Sequence, residues 1–266
     1  TISHQFYSQV RKAMIWLIKD IISVFIYAII CPFLRNKNVV LVYHSIDYIA
    51  KNDDPKKINV IPALFEKHMA YIGKRRGKFT VTFDDGFESI YLNALHIIKK
   101  YDIRSILFLT TDYLDGKIKF DIFFDNKYSP KPLTWDQVKE MNAFGVELGS
   151  HSLTHRNMVK LDEETAYLES FASRKRITDM TGCNVVSFSY PFGNTGSFNK
   201  KTEKIIRSIG YKKAYTNIMG MDNSKNEPFM IKRIRIYRTD NMLRFKMKIS
   251  GAYSWIDFLV TRFQKK

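Results

Sequence analysis

The chain has 266 residues, 45% of them hydrophobic, which is enough for one large domain with a full core and too little for two generous ones. Aromatic residues at 14% and seven prolines exclude a disordered chain, and two cysteines far apart, Cys31 and Cys183, exclude a disulfide framework or a cysteine metal site. Lys and Arg number 43 against 26 Asp and Glu, a formal charge of +17 that favours anionic partners. Zinc-finger spacing, RNP-like aromatic runs and long basic runs are missing, so nucleic acid is not expected as a partner and a membrane surface is.

In chain order, residues 13–34, "AMIWLIKDIISVFIYAIICPFL", are the most apolar part and are interrupted by Lys19 and Asp20. The clean stretch Ile21 to Leu34 would be roughly 21 Å long as a helix, short of the roughly 30 Å of a hydrocarbon core. An interfacial helix with Arg11, Lys12 and Lys19 near headgroups is the expectation, with a signal sequence as the rival. The last residues, "MLRFKMKISGAYSWIDFLVTRFQKK", mix aromatic and basic residues in the same way. Residues 1–36 are therefore read as an apolar, basic membrane-associating segment, 37–240 as the main domain and 241–266 as a second basic, aromatic segment.

Between these ends, apolar β-branched runs alternate with segments of helical period. Strands are expected at "NVVLVYH" (38–44), "KFTVTF" (78–83), "SILFLT" (105–110), "VELGSH" (146–151), "VVSFSYP" (185–191), "KKAYT" and "RIRIYR". Helices are expected from Pro62, over 88–101, from Thr134 and Gln137 in capping-box spacing to Gly145, then to Gly182 and to Gly210. A looser excursion from Thr111 to Pro132 carries Asp121, Phe123, Phe124 and Asp125. The alternation implies parallel β-α-β crossovers, hence an α/β fold: an incomplete barrel, or an open doubly wound sheet. In either, active residues belong at the C-terminal ends of strands.

Five candidates fall there. His44 closes the first strand, Asp84 and Asp85 close "FTVTFDD", His151 closes "VELGSH" and His155 follows four residues later. His68 and His96 sit inside helices and are read as packing or surface residues. One Asp with two His makes a three-ligand catalytic metal site with a position left for water. A cation also explains the paired carboxylates, since two adjacent anions in a water-poor pocket would force one to take up a proton. With one carboxylate on the metal, the other is free to act as a base.

"TFDDGF" and "HSLTH" resemble the first two motifs of the polysaccharide deacetylase family (carbohydrate esterase family 4), and "FSYPFG" (188–193) resembles its third. The resemblance spans about residues 38–240. It implies a distorted (β/α)7 barrel, preceded here by the apolar helical segment, and removal of an N-acetyl or O-acetyl group from a sugar with one divalent metal, zinc. By it Asp84 is the general base, Asp85, His151 and His155 hold the metal, and Ser152 braces the loop. Two departures stand out. Ser189 occupies the place of an arginine that holds the base, so Asp84 needs another partner, Arg233 or Arg235. The late acid histidine is also missing. "LVYHS" resembles a branch that includes exported poly-N-acetylglucosamine deacetylases, where the early histidine takes that position, which assigns His44, with Asp47 as its neighbouring carboxylate.

The chemistry follows the same assignments. Asp84 takes a proton from water, the backbone N–H of Phe192 in the Pro-Phe-Gly turn helps to hold the oxyanion, and His44 protonates the leaving amine. Tyr190 and Phe192 line the sugar site. The expected substrate is an acetylated envelope polysaccharide or glycolipid, acted on at a membrane surface in the cell envelope, on a side the sequence leaves open. The rival readings are a deformylase or deacetylase of a lipid-linked sugar intermediate, and an inactive carbohydrate-binding relative.

Overall fold

Val39–Tyr43 is a run of β-branched and bulky residues with every side chain buried, and it forms the strand β1. The computed structural model describes residues 20–29, 38–75, 77–120 and 128–253. These belong to two compact units, one of Asn38–Asp240 and one built from both ends, Thr1–Lys37 with Asn241–Lys266.

In the larger unit β1 is followed by β2 (Ser45–Ile46), β3 (Asn59–Val60), β4 (Phe79–Phe83), β5 (Ser105–Leu109), β6 (Glu147–Ser150), β7 (Ser187–Ser189), β8 (Lys213–Tyr215) and β9 (Ile234–Arg235). Seven of them make one sheet in the order β8-β7-β6-β5-β4-β1-β9. Every pairing in it is parallel. These seven are the strands that the sequence pattern anticipates. β2 and β3 form a separate two-stranded parallel pair that the pattern does not reveal, because two residues are too few to show a period.

The sheet is curled. Val40 of β1, Ile106 and Phe108 of β5, and Tyr215 of β8 share one buried apolar cluster with Ile231, although β1 and β8 lie far apart in the strand order. The Phe108 and Tyr215 rings are 5.1 Å apart. The seam is bridged by the stretch that ends in β9. Ile231 donates from its backbone N to Ala214 O (2.9 Å) and accepts from Thr216 N (2.8 Å), and Arg233 N donates to Ile218 O (3.1 Å). Ile234 and Arg235 then pair with Leu41 and Val42 of β1. Residues 231–235 thus reach from β8 to β1, giving the distorted (β/α)7 barrel its last wall.

Helices cover the outside, as parallel crossovers require. Pro62–Gly73 starts on proline. Trp135–Ala143 carries the Thr134–Gln137 capping box. Glu163–Thr181 is capped by Asp162 and stops at Gly182, which has φ 72°. The helix after β4 contains a π turn at Ile90–Ala94 before its α-helical end Leu95–Lys100. In the excursion after β5, Thr111–Leu114 is a short helix. Asp121, Phe123, Phe124 and Asp125 lie outside the described residues.

In the smaller unit residues 20–29 are helical, and Met242–Ile249 forms a helix capped by Asn241. The rest of the apolar N-terminal segment lies outside the described residues. No helix among the described residues is long and apolar enough to cross a membrane.

Candidate functional site

β4 delivers Asp84 and Asp85, and β6 delivers the loop His151–His155, at the same end of the sheet. Asp84 and Asp85 are buried, 0% and 1% exposed, and so are His151 and His155. One Asp85 oxygen lies 3.6 Å from His151 Nε2 and 3.6 Å from His155 Nε2. Donor atoms of these three residues all lie within 4.8 Å of one another, the one such group among the described residues. Ligands about 2.0–2.2 Å from a tetrahedral ion stand roughly 3.3–3.6 Å apart, so the spacing suits a divalent cation.

The donor chemistry fits as well. Both Asp85 oxygens are buried without a hydrogen-bond partner, a state that costs several kcal/mol for an isolated anion. Burial first, then the Asp84 charge, push the Asp85 carboxyl well above the ordinary carboxylate range, so without a cation it would hold a proton. Burial likewise pushes His151 and His155 down and keeps both imidazoles neutral, the form that ligates metal. His151 Nδ1 is 2.7 Å from the Ser189 carbonyl oxygen, to which it donates, and this turns the Nε2 lone pair toward Asp85.

The backbone around these groups is strained. Among the described residues, Asp85 (φ 77°), Ser152 (φ 67°), His155 (φ 60°) and Phe192 (φ 63°) are four of the six non-glycine residues in the left-handed region. Each such position costs about 1–3 kcal/mol and persists where its surroundings over-determine it. The surroundings here can be named. Ser152 Oγ accepts from His155 N (3.0 Å), as the bracing role requires. Ser150 Oγ accepts from Ser152 N (3.2 Å) and bonds to Ser173 Oγ (2.8 Å) on the helix Glu163–Thr181. The same helix supplies Glu169, 4% exposed, whose carboxylate accepts from Thr154 N (2.9 Å) and from the Thr154 hydroxyl, while its backbone oxygen accepts from Leu153 N (3.0 Å). Gly86, at φ 95°, follows Asp85 where an added Cβ would stand 2.8 Å from Leu114 Cδ1.

Asp84 is held by the residue at the barrel seam. Arg233 Nη1 donates to Asp84 Oδ1 and Nη2 to Oδ2, each at 2.7 Å, and both residues are fully buried. Of the two arginines anticipated, Arg233 fills the role; Arg235 lies over the Tyr237 ring at 5.9 Å. Arg233 Nη2 also donates to Ser189 Oγ (2.9 Å) and Asn217 Oδ1 (2.9 Å), Nη1 to Thr82 Oγ1 (3.0 Å), and Nε to Thr216 O (2.9 Å). Ser189 Oγ donates to Asp84 Oδ2 (3.2 Å). Burial alone would raise the Asp84 carboxyl, but the Arg233 charge and its two hydrogen bonds, together with His151, hold it well below the ordinary range. Asp84 is therefore an acceptor at neutral pH.

His44 follows β1, beside β4, and its field is felt by Asp84 and His155. Burial first, and the positive charge of Arg233 and Arg235, push it down to about 4 against the opposing pull of Asp84. Asp84 is the carboxylate whose charge opposes that shift. Asp47 is engaged elsewhere, accepting from the Tyr128 hydroxyl at 2.8 Å and from Tyr48 N at 2.8 Å.

Phe192 is 38% exposed, and its ring meets His155 edge-on with centroids 4.7 Å apart. The turn is fixed by Asn217, which donates Nδ2 to Phe192 O (2.9 Å) and its backbone N to Gly193 O (2.7 Å). The Phe192 N–H meets no protein acceptor among the described residues and is available to a ligand. Tyr190 is a correction: it is 0% exposed, stacked on Phe198 at 4.9 Å and edge-on to Phe188, so its ring is part of the core and does not line a sugar site. One-residue alternation along β7 explains this, since Ser189 points into the site and its neighbour must point out.

A family model described as polysaccharide deacetylase matches residues 73–214, a span that includes Asp84, Asp85, His151, His155 and Phe192 but neither His44 nor Arg233. A poly-beta-1,6-N-acetyl-D-glucosamine N-deacetylase of Staphylococcus aureus is 26% identical over 151 residues, 54% of this chain and 50% of the relative. The chain spans about half the length of the curated relatives it matches. Among solved structures, the Streptococcus pyogenes deacetylase PplD in complex with acetate is similar with a TM-score of 0.67 at 21% identity, covering 80% of this chain and 98% of that one. BC0361, a polysaccharide deacetylase from Bacillus cereus, is similar with a TM-score of 0.65 at 24% identity, covering 80% of this chain and 69% of that one. Both likenesses are of fold.

Proposed function

We propose, since this chain belongs to the polysaccharide deacetylase family, that it hydrolyses N-acetyl groups of an amino-sugar polymer with one divalent metal, zinc, held by Asp85, His151 and His155. The observation that carries this reading is the Asp85 carboxylate, buried without a hydrogen bond, 3.6 Å from two neutral imidazole nitrogens. The name of the S. aureus relative, a poly-beta-1,6-N-acetyl-D-glucosamine N-deacetylase, supports a poly-N-acetylglucosamine chain as the substrate class.

When bound, such a metal lowers the pKa of water toward about 7 and polarises a carbonyl oxygen. The chain's own groups do the rest. Asp84 is locked in its acceptor form by the Arg233 fork and takes the proton of the attacking water. The N–H of Phe192 points a donor at the oxygen that becomes negative as water adds to the acetyl carbon. His44, neutral at rest, takes up the proton that Asp84 removed from water and gives it to the leaving nitrogen as the C–N bond breaks. The hydroxyl of water ends on the acetyl carbon and its proton on the nitrogen; the acetic acid so formed then ionises, leaving acetate and a protonated amino sugar. Phe192, half-exposed against His155, offers the apolar wall for the acetyl methyl.

An inactive binding relative would have no use for a clamped base beside the metal ligands. The test is acetate release from acetylated β-1,6-linked glucosamine oligomers by the full chain, before and after chelation and zinc return. Release that depends on zinc supports the reading. No release from any acetylated amino sugar by zinc-loaded protein overturns it.

A further inference from the structure

The helix at residues 20–29 has its polarity reversed. Its exposed residues are Ile21, Ile22, Val24, Phe25, Ala28 and Ile29, all apolar, with Phe25 and Ile29 each 68% exposed. At 100° per residue they fill one arc of roughly 160°. Its polar residues face inward instead. Ser23 is 0% exposed, and Asp20 accepts from Arg244 Nε at 3.0 Å and from the Tyr253 hydroxyl. The Asp20–Arg244 pair joins this helix to Met242–Ile249 within the same unit and fixes which face turns outward. Leu243, 52% exposed, adds a further apolar side chain on that second helix.

A surface helix in water shows the opposite pattern, with its apolar stripe facing the core. A continuous apolar face on this scale marks an interaction surface. We propose that this face lies in the interface of an anionic lipid bilayer. Charge selects that occupant over a second copy of the chain. The segments 1–37 and 241–266 hold eleven Lys and Arg and two Asp, so two copies would repel while an anionic surface attracts. The sequence selects a segment lying in the interface over one that spans it, because Lys19 and Asp20 limit the clean apolar run to residues 21–34, which as a helix would reach roughly 21 Å against the roughly 30 Å of a hydrocarbon core.

The test is flotation of the full chain with vesicles of pure phosphatidylcholine and with vesicles containing one part in three phosphatidylglycerol. The expected result is capture by the anionic vesicles, weakened by high salt, and a loss of roughly tenfold in partitioning for each of Phe25→Ser and Ile29→Ser. Thermal melts of both variants should match the parent, since neither side chain is packed. As a second measurement, the Phe25→Trp variant should be quenched by brominated acyl chains. Equal recovery of parent and variants, or capture without quenching, would overturn the proposal. So would a dimer that Phe25→Ser dissolves in a chain that ignores vesicles.

Discussion

Removing the Arg233 guanidinium is the most informative single change in the barrel. Arg233 and Asp84 are both fully buried and joined by two bonds of 2.7 Å. Breaking a buried pair by deleting one partner costs about 3–5 kcal/mol, because the remaining charge is stranded. Arg233→Met should therefore lower the unfolding free energy by about that much in metal-free protein. Ser189, Asn217 and Thr82 lose a donor in the same step. Asp84→Asn in the parent keeps one acceptor for the fork and should cost less, about 2 kcal/mol. In the double variant no charge is stranded, so the losses should fall short of their sum by about 2 kcal/mol or more. The assay is urea unfolding of the four proteins with chelator present, so that zinc does not add to the stability of any of them. Losses that add to within about 0.5 kcal/mol would show that the fork does not hold the base, and the account of Asp84 would fall.

Three further outcomes follow from the same geometry. Asp84→Asn should bind zinc as the parent does but lose turnover by roughly 10²-fold or more; full activity in it removes Asp84 from the base role. His44→Ala should keep its zinc and lose hydrolysis of the amide far more than hydrolysis of an activated acetyl ester, whose leaving group needs no proton; equal losses on both substrates end that assignment. Glu169→Ala frees the loop that carries His155, so zinc affinity measured by calorimetry should fall roughly 10–100-fold; an unchanged affinity would leave Glu169 a purely structural residue.

The strand framework was readable because parallel strands buried on both faces are written as short apolar runs, and β1 and β5 are of this kind. The site was readable for a related reason. Asp84, Asp85, His44 and His151 directly follow such runs, and the C-terminal strand end is where this architecture gathers its chemistry. Ser189 in place of an arginine shows that Asp84 needs another partner, for which the sequence offers Arg233 or Arg235 as candidates without deriving either. Only the seam decides between them. Arg233 comes just before the β9 pairing with β1, 149 residues from Asp84, and its N–H is tied to Ile218 O. Asn217 and Glu169 left no trace, since their roles come from tertiary packing and not from spacing. Tyr190 is not legible as a core residue, because aromatic residues beside a motif look alike in sequence whether they face a ligand or the core. The left-handed backbone at Asp85, Ser152 and His155 is equally silent, because residues that would normally avoid that region are held there by bonds made at a distance.

Zinc titration into metal-free protein, read simultaneously as bound metal and as acetate released from an N-acetylated glucosamine oligomer, puts the Asp85–His151–His155 assignment at greatest risk. Both signals should rise together and break at one ion per chain, and the Asp85→Ala, His151→Ala double variant should show neither. Acetate release at zero added zinc with chelator present, or parent-like metal binding in the double variant, would contradict the proposed centre.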